Sequence, residues 1–321
     1  MKTNVPARGL LITLVFAFLA PLVIAQTPQT STSTAITAQT SSFAVGDGPE
    51  AVAFDGANIW VANQFSNTLS KVRVTDGAIL GTYSTGKRPV ALVFDGANIW
   101  VANYLGNNIT KMRASDGLIL GTFATGDGPG GLAFDGKNIW VANRNSNDVT
   151  KLQASDGLKL GTFAVGTRPL ALAFDGANIW VTNNKSDTVT ALQGSDGLVL
   201  GTFPVGKGPF GVAFDGANIW VANFFSRTVM ELAVNGTVVN TIAVGDGPAG
   251  VTYAGGYLWV ANNGSNTVSK LRPSDGSVLG TFAVGRGPFG VVFDGTNIWV
   301  ASTGAGTVSR ISPANKLSAI P

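Results

Sequence analysis

The stretch Phe-Asp-Gly-Ala-Asn-Ile-Trp-Val-Ala-Asn, residues 54–63, decides the fold, because close copies of it occur seven times along the 321-residue chain. Every tryptophan lies in one of these copies, at Trp60, Trp100, Trp140, Trp180, Trp220, Trp259 and Trp299. Successive tryptophans are 40 residues apart, except for one interval of 39 residues. Self-similarity with a period of about 40 residues indicates a repeat architecture.

Each repeat contains four short strand patterns. In the third copy, strands are predicted at 130–134, 139–142, 149–152 and 158–164, with turns at 135–138 and 155–157. β-Branched and aromatic residues between Asp-Gly or Asn-Gly turns are typical of hairpins, and no helical apolar periodicity persists. Four antiparallel strands in each repeat of about 40 residues predict an all-β fold, a seven-bladed β-propeller.

Both faces of the predicted sheets are apolar. In the second strand of the first repeat, Ile59 and Val61 point to one face, while Trp60 and Ala62 point to the other. Such sheets need cover on both sides, and closure of a ring of blades supplies it. An open β-solenoid is the alternative, but it requires a cap at each end, and the sequence contains no visible cap.

The repeat motifs resemble a known family. They read Gly-Pro-x-Gly/Ala-Val/Leu-x-Phe-Asp-Gly, then Ile-Trp-Val-Ala-Asn, then Asn-Thr-Val-Ser-Lys-Leu and Gly-Thr-Phe-Ala-Val-Gly. This pattern resembles the YVTN-type β-propeller repeat, a relative of the NHL and virginiamycin-B-lyase-like propellers, over about residues 43–321. The resemblance implies a propeller fold and an exported protein, since the family consists mostly of exported proteins without an assigned role.

Closure of the ring requires a fourth strand for the last blade, whose first three strands are predicted near 290–294, 298–302 and 307–312. Two segments are candidates, the N-terminal Phe43-Ala44-Val45-Gly46 and the C-terminal residues 317–320. The N-terminal segment matches the fourth strand of the other repeats better. We therefore expect the N-terminal strand to complete the last blade.

The N-terminus carries the features of a secretory signal peptide at residues 1–25. Lys2 and Arg8 precede a short apolar run, and small residues stand at the expected cleavage position. An uncleaved membrane anchor is the alternative, although the run is short for a span. Residues 26–42 read as a flexible Ser/Thr/Gln-rich leader, and 43–321 as the propeller. The expected location is therefore periplasmic, extracellular or on the cell surface, without a membrane span after cleavage.

Composition excludes several kinds of chemistry. The chain has neither His nor Cys, so zinc sites of the usual kind, histidine-based triads and thiol catalysis are ruled out. The virginiamycin-B-lyase-like resemblance implies a catalytic histidine, which this chain lacks. Without Lys2 and Arg8, the 21 basic side chains fall to 19 against 18 acidic ones, which does not favour a nucleic-acid partner. We predict a monomer with no catalytic residue, metal or cofactor.

Polar residues that recur in most repeats have local structural explanations. Aspartates occupy the first turn at Asp55, Asp95, Asp135, Asp175, Asp215 and Asp294, and the second turn at Asp76, Asp116, Asp156, Asp196 and Asp275. They are interpreted as turn caps, with a calcium-binding ring as the alternative. Asparagines that end the second strand, such as Asn63, are interpreted as turn formers. The basic residues Lys71, Lys111, Lys151, Lys270 and Arg310 of the third strand are expected to face solvent and deter edge pairing.

The connections that vary between repeats lie, by propeller geometry, on one face. Loops held by a rigid scaffold are where binding residues tend to occur, although neutral drift also explains variation. The candidate ligand-binding residues on this face are Phe210, Phe224, Phe225, Phe289, Tyr104, Arg227, Lys207 and Glu50. The aromatic members suit a protein, peptide or carbohydrate partner, or else simply pack the loops.

Two functions are compatible with this pattern. The first is an exported scaffold or binding protein that presents the variable loops to a partner. The alternative is a metal-dependent lactonase or hydrolase, because gluconolactonase-like propellers place a metal-binding glutamate in a region similar to that of Glu50. No second carboxylate is evident beside Glu50 in the sequence.

Overall fold

The structure is a computed structural model that describes Met1 and residues 39–312. The predicted signal peptide from residue 2, the leader up to residue 38 and the alternative closing segment 317–320 lie outside the described residues. In the part of the chain that is described, no helix has the length and apolar character needed to cross a membrane.

Strands of five to seven residues build seven sheets of four strands each. In blades one to three these are β2 (Pro49–Phe54), β3 (Asn58–Asn63), β4 (Thr68–Arg73), β5 (Ile79–Ser84), β6 (Pro89–Phe94), β7 (Asn98–Asn103), β8 (Asn108–Arg113), β9 (Ile119–Ala124), β10 (Pro129–Phe134), β11 (Asn138–Asn143), β12 (Asp148–Gln153) and β13 (Lys159–Ala164). In blades four to six they are β14 (Pro169–Phe174), β15 (Asn178–Asn183), β16 (Thr188–Gln193), β17 (Val199–Pro204), β18 (Pro209–Phe214), β19 (Asn218–Asn223), β20 (Thr228–Ala233), β21 (Val238–Ala243), β22 (Pro248–Ala254), β23 (Tyr257–Asn262), β24 (Thr267–Leu271) and β25 (Val278–Ala283). Blade seven consists of β26 (Pro288–Phe293), β27 (Ile298–Ser302), β28 (Thr307–Ser312) and β1 (Gln39–Ala44).

The predicted seven-bladed β-propeller is confirmed. All pairings are antiparallel, and the first strand of each blade contacts that of the next, including β26 with β2. The expected N-terminal closure is also confirmed, because β1 pairs with β28 and places Phe43 opposite Val308. The strand begins at Gln39, four residues inside the stretch assigned to the leader. The ring centroid of Phe43 lies 5.7 Å from that of Trp299, and five of the other six blades place a fourth-strand aromatic residue beside their tryptophan in the same way.

The core lies between the blades, as the two apolar faces predict. Trp140 and Ala142 of blade three pack with Ile179 and Val181 of blade four, and all four are completely buried. The same grouping recurs around the ring, and six of the seven tryptophans are among the largest fully buried side chains. Burial of such rings removes on the order of 150–250 Å² each from water, so packing between the blades contributes strongly to stability.

The aspartates of the first turn do cap their turns, as predicted. Asp135 Oδ1 accepts hydrogen bonds from the backbone amides of Lys137 (2.9 Å) and Asn138 (2.6 Å). Its other oxygen accepts the indole Nε1–H of Trp140 at 2.7 Å. Six blades repeat this bond, which the sequence did not suggest. The aspartate therefore joins the turn to the core between the blades.

The expectation that the third-strand basic residues face solvent is wrong. Lys71 is only 8% exposed, and its Nζ lies 5.1 Å from the Trp60 ring centroid. The ammonium group donates to the carbonyl of Ala114 in the next blade at 2.7 Å. Arg310 makes the same bridge across the closure, from its guanidinium to the carbonyls of Val74 and Thr75. The third strand is not the outermost, so the neighbouring blade covers its basic residue.

The asparagines that end the second strand need a similar correction. Asn63 is completely buried, and its Nδ2 donates to the hydroxyls of Thr68 (3.2 Å) and Ser70 (3.0 Å) on the third strand. These residues therefore tie two strands together inside the sheet. The turn itself is formed by Asn67, which adopts a positive φ of 56°.

Candidate binding site

The variable connections meet on one face because they are hydrogen-bonded to each other. In blade five, the amide of Phe224 donates to the carbonyl of Gly208 at 3.0 Å, and the amide of Phe225 to that of Lys207 at 3.1 Å. Equivalent bonds join Gln64 to Gly48 and Phe65 to Asp47 in blade one. Both sets of variable loops consequently surround the same end of the central channel.

A cavity of about 300 Å³ opens at this end of the channel. It is lined by residues from six of the seven blades: Glu50, Gln64, Arg88, Arg144, Arg168, Leu170, Asn184, Phe210, Phe224, Phe225 and Phe289. Below it, the first strands of all seven blades enclose a further cavity of about 200 Å³. The mouth of the channel is therefore concave, with both apolar and charged groups.

Four predicted aromatic residues form one side of the mouth. The ring of Phe210 lies 5.5 Å from that of Phe289 and 6.2 Å from that of Phe224. The ring of Phe224 meets that of Phe225 edge-on at 5.2 Å. Phe225 remains 69% exposed. Loop packing accounts for part of this cluster, yet its rings still line the open cavity.

Three arginines from blades two to four form the opposite side. Arg88 precedes β6, Arg168 precedes β14, and Arg144 follows β11. The predicted residue Tyr104 lies between two of them, with its ring centroid 5.1 Å from the guanidinium carbon of Arg88 and 5.3 Å from that of Arg144. Arg88 Nε also donates to Gln64 Oε1 at 3.1 Å. Tyr104 thus orients guanidinium groups at the mouth instead of lining it.

Arg88 and Arg168 adopt the left-handed backbone conformation, with φ of 56° and 57°. At the equivalent position the other five repeats have glycine, at Gly48, Gly128, Gly208, Gly247 and Gly287, with φ between 61° and 68°. A side chain in this conformation costs roughly 1–2 kcal/mol, and glycine avoids that cost. Strained residues of this kind concentrate at functional sites. The two substitutions are visible in the sequence, but composition alone does not attach any role to them.

Arg144 reaches the channel because blade three has a glycine beside it. A Cβ atom at Gly130 would lie 2.6 Å from Arg144 Nε, closer than such atoms pack. Most other blades carry a larger residue at this position, such as Leu170 or Phe210. The small residue and the long one together place a guanidinium over the mouth.

Glu50 is the one carboxylate that lines the cavity among the described residues. Burial raises the pKa of Glu50 above its ordinary value of 4.5, although Arg144 and Arg88 act in the opposite direction. The charged groups that face it are therefore cations, which repel a divalent metal ion. Within residues 39–312, no three carboxylates lie close enough together to hold a metal.

The two predicted basic residues of blade five lie away from the cavity lining. Lys207 is exposed, and its backbone amide is bonded to Ser226 Oγ at 2.7 Å. Arg227 is paired with Asp246 through a 2.8 Å contact, in which both side chains are more than half exposed. The positive charge of the mouth comes instead from Arg88, Arg144 and Arg168, which are not among the residues predicted from the sequence.

Comparison with known proteins supports the fold and does not assign a function. No family model and no curated protein matches the chain. Its structure is similar to that of a catalytically inactive virginiamycin B lyase from Staphylococcus aureus with quinupristin, with a TM-score of 0.76 and 18% identity over 86% of this chain and 100% of that one. A streptogramin B lyase gives a TM-score of 0.75 and 17% identity, over 86% and 97% of the two chains. Kuenenia stuttgartiensis hydrazine synthase gives 0.75 and 18%, over 84% and 96%. These likenesses agree with the YVTN-type resemblance.

Proposed function

We propose that this protein is an exported binding propeller that holds a peptide or protein partner at the mouth of the central channel. The observation that carries the proposal is the convergence of phenylalanine and arginine side chains from different blades on one cavity. Aromatic residues and arginine are the residue types enriched in protein interfaces. Export rests on the N-terminal signal features of the sequence.

The opposite face offers a contrast that supports this assignment. Its turns are nearly identical between blades, and their aspartates are occupied by backbone amides and by the tryptophan indoles. A partner surface there would have to use groups that already stabilise the fold. The variable face, in contrast, keeps exposed rings such as that of Phe225 without an equivalent structural task.

The metal-dependent hydrolase is less well supported by the site. Such an enzyme needs a cluster of carboxylates or similar ligands around the metal. Here burial raises the pKa of Glu50, and the other charged side chains that line its cavity are the cations Arg88, Arg144 and Arg168. A carbohydrate partner is also compatible with the aromatic rings, and a glycan array tests for it.

The proposal is tested by selecting peptides from a random library on the mature protein, in parallel with a glycan array. Selected peptides should bind the Phe225→Ala variant with about 1 kcal/mol less free energy, a factor of about five. Asp156→Ala, in a turn of the opposite face, serves as the control and should leave binding unchanged. Peptides that bind equally well after Phe210, Phe224 and Phe225 are all replaced by Ser would place the site elsewhere.

Two further outcomes would replace the proposal. Binding only to glycans would change the class of partner. Hydrolysis of a lactone or ester panel with Mg²⁺, Ca²⁺ or Mn²⁺, lost in Glu50→Gln, would favour the enzyme instead.

A further inference from the structure

The cavity at the mouth has two walls of different chemistry. The cationic wall consists of Arg88, Arg144 and Arg168, and the aromatic wall of Phe210, Phe224 and Phe289. Because the blades follow one another in order around the ring, blades two to four supply the first wall and blades five and seven the second. A ligand that fills the cavity therefore meets guanidinium groups on one side and ring faces on the other.

The cationic wall lacks a counter-ion of its own. Within residues 39–312, none of its three guanidinium groups has a carboxylate oxygen within 4.0 Å. Arg144 Nε is buried without a hydrogen-bond partner in the same part of the chain. Burial lowers the pKa of Arg144, and Arg168 and Arg88 act in the same direction, whereas Glu50 opposes them. Three guanidinium groups against this single carboxylate leave an excess of two positive charges at the mouth.

The backbone of the loop at Arg88 and Arg168 is held as it is at the glycines of the other repeats. The amide of Arg88 donates to Asn67 Oδ1 at 2.8 Å, and the amide of Gly128 makes the same bond to Asn107 Oδ1 at 2.9 Å. Arg168 repeats it with Asn147 at 2.8 Å. The backbone conformation and its hydrogen bond are therefore independent of the side chain. The two guanidinium groups are therefore not needed to hold the left-handed conformation, and both of them line the cavity.

We propose, building on the binding function above, that the mouth recognises a carboxylate that stands next to an aromatic ring. The cationic wall binds the carboxylate, since guanidinium groups pair with both of its oxygens. The aromatic wall receives the ring, with offset or edge-on contacts to Phe210 and Phe289. A peptide that ends in phenylalanine and a free aryl-bearing acid both present this chemistry. The cavity of about 300 Å³ is at the lower limit for a ligand site, which suits a single terminal residue.

Calorimetric titration with three probes tests the ligand class on the full mature protein. The probes are N-acetyl-L-phenylalanine, its uncharged amide and N-acetylglycine, which keeps the carboxylate but lacks the ring. The acid should bind at least roughly tenfold more tightly than either of the others, as expected for a charge-assisted contact and for a buried ring. Two tetrapeptides that end in phenylalanine, one with a free carboxyl terminus and one with an amidated terminus, distinguish a peptide terminus from a free acid as the source of the carboxylate. Tighter binding of the free peptide than of the acid identifies a chain terminus, and equal binding a small molecule.

The protein variant that isolates the guanidinium groups is the double substitution Arg88→Gly and Arg168→Gly. Five other repeats carry glycine at this position, so the variant should fold and melt at an unchanged or higher temperature. Its affinity for N-acetyl-L-phenylalanine should fall roughly tenfold to a hundredfold, to the level of the amide. The matched control, Phe210→Ser, should weaken binding of the acid and binding of the amide by a similar factor.

Equal affinity for the acid and the amide, or for the acid and N-acetylglycine, would overturn the inference. So would a double variant that binds the acid at full strength. If library peptides bind the mouth without needing a free carboxylate, the inference fails while the binding function stands. If neither the library peptides nor N-acetyl-L-phenylalanine binds, both fail.

Discussion

Replacement of Asp135 by alanine tests the bond between the first turn and the core. The carboxylate accepts two backbone amides, from Lys137 and Asn138, which contribute about 1 kcal/mol each in a partly exposed turn. It also accepts the indole N–H of Trp140, which is completely buried and would lose its partner at a cost of about 2 kcal/mol. The free energy of unfolding should therefore fall by about 4 kcal/mol.

The assay is urea denaturation followed by tryptophan fluorescence, with Asp156→Ala as the control. Asp156 accepts one amide, that of Leu158 at 3.0 Å, in an exposed turn, so its loss should cost only about 0.5–1 kcal/mol. A double-mutant cycle with Trp140→Phe isolates the indole bond and should give a coupling of about 2 kcal/mol. A coupling near zero, or equal costs for the two aspartate variants, would refute the reasoning.

The cost of losing Asp135 should also depend on pH. Burial by itself raises the pKa of Asp135, but hydrogen bonds from the Asn138 side chain, the Trp140 indole and two backbone amides outweigh it, so the pKa lies below its ordinary value of 3.8. A carboxyl group whose pKa is lower in the folded state stabilises the fold above the unfolded pKa and loses that contribution in acid. The difference in unfolding free energy between wild type and variant should shrink as the pH falls below about 4. A difference that stays constant down to pH 2 would contradict this account.

Three other outcomes follow from the structure. Glu231→Gln should raise the melting temperature at neutral pH, because burial raises the pKa of Glu231 in the folded state. This gain in melting temperature should disappear as the pH falls through about 4.5, and an equal gain at pH 4 and pH 7 would contradict burial as its cause. Phe43→Ala should lower the free energy of unfolding by about 2–3 kcal/mol, since the ring contacts Trp299 but is only partly buried, and an unchanged denaturation midpoint would argue against closure by the N-terminal strand. Gly130→Ala should displace the guanidinium of Arg144 and weaken binding of N-acetyl-L-phenylalanine with little effect on the melting temperature, whereas full affinity would exclude Arg144 from the site.

The fold was predictable because the strands of each repeat make both faces of its sheet apolar, so each blade must pack against a neighbour on either side. The alternation of Ile59 with Trp60 makes both faces apolar within one strand, and the same pattern recurs seven times. Any arrangement that exposes an apolar sheet face to water is therefore unfavourable, and a closed ring of blades exposes none. Closure by the N-terminal segment was predictable for a similar reason, because Phe43 repeats the fourth-strand aromatic position that five other blades share.

The binding site was predictable only in part. Phe210, Phe224 and Phe289 depart from their repeat equivalents in a visible way, and the structure brings their rings together. The convergence of Arg88 and Arg144 on the same cavity was not predictable, because the two residues lie in different loops that share no sequence motif. Only the ring geometry makes these loops neighbours.

Sequence by itself determined the number of blades, the strand order and the turn caps, since all of these depend on residues within one repeat and on its periodicity. It favoured the N-terminal closing strand without deciding it. Tertiary structure alone decided which charges are buried and which converge. Lys71 lies under the carbonyl of Ala114, 43 residues later in the chain, and no local pattern distinguishes it from an exposed lysine. The arginine wall likewise depends on the glycine that admits Arg144 and on the channel that gathers six blades. Contacts between blades are set by the closure of the ring, so they are properties of the assembled propeller rather than of any one repeat.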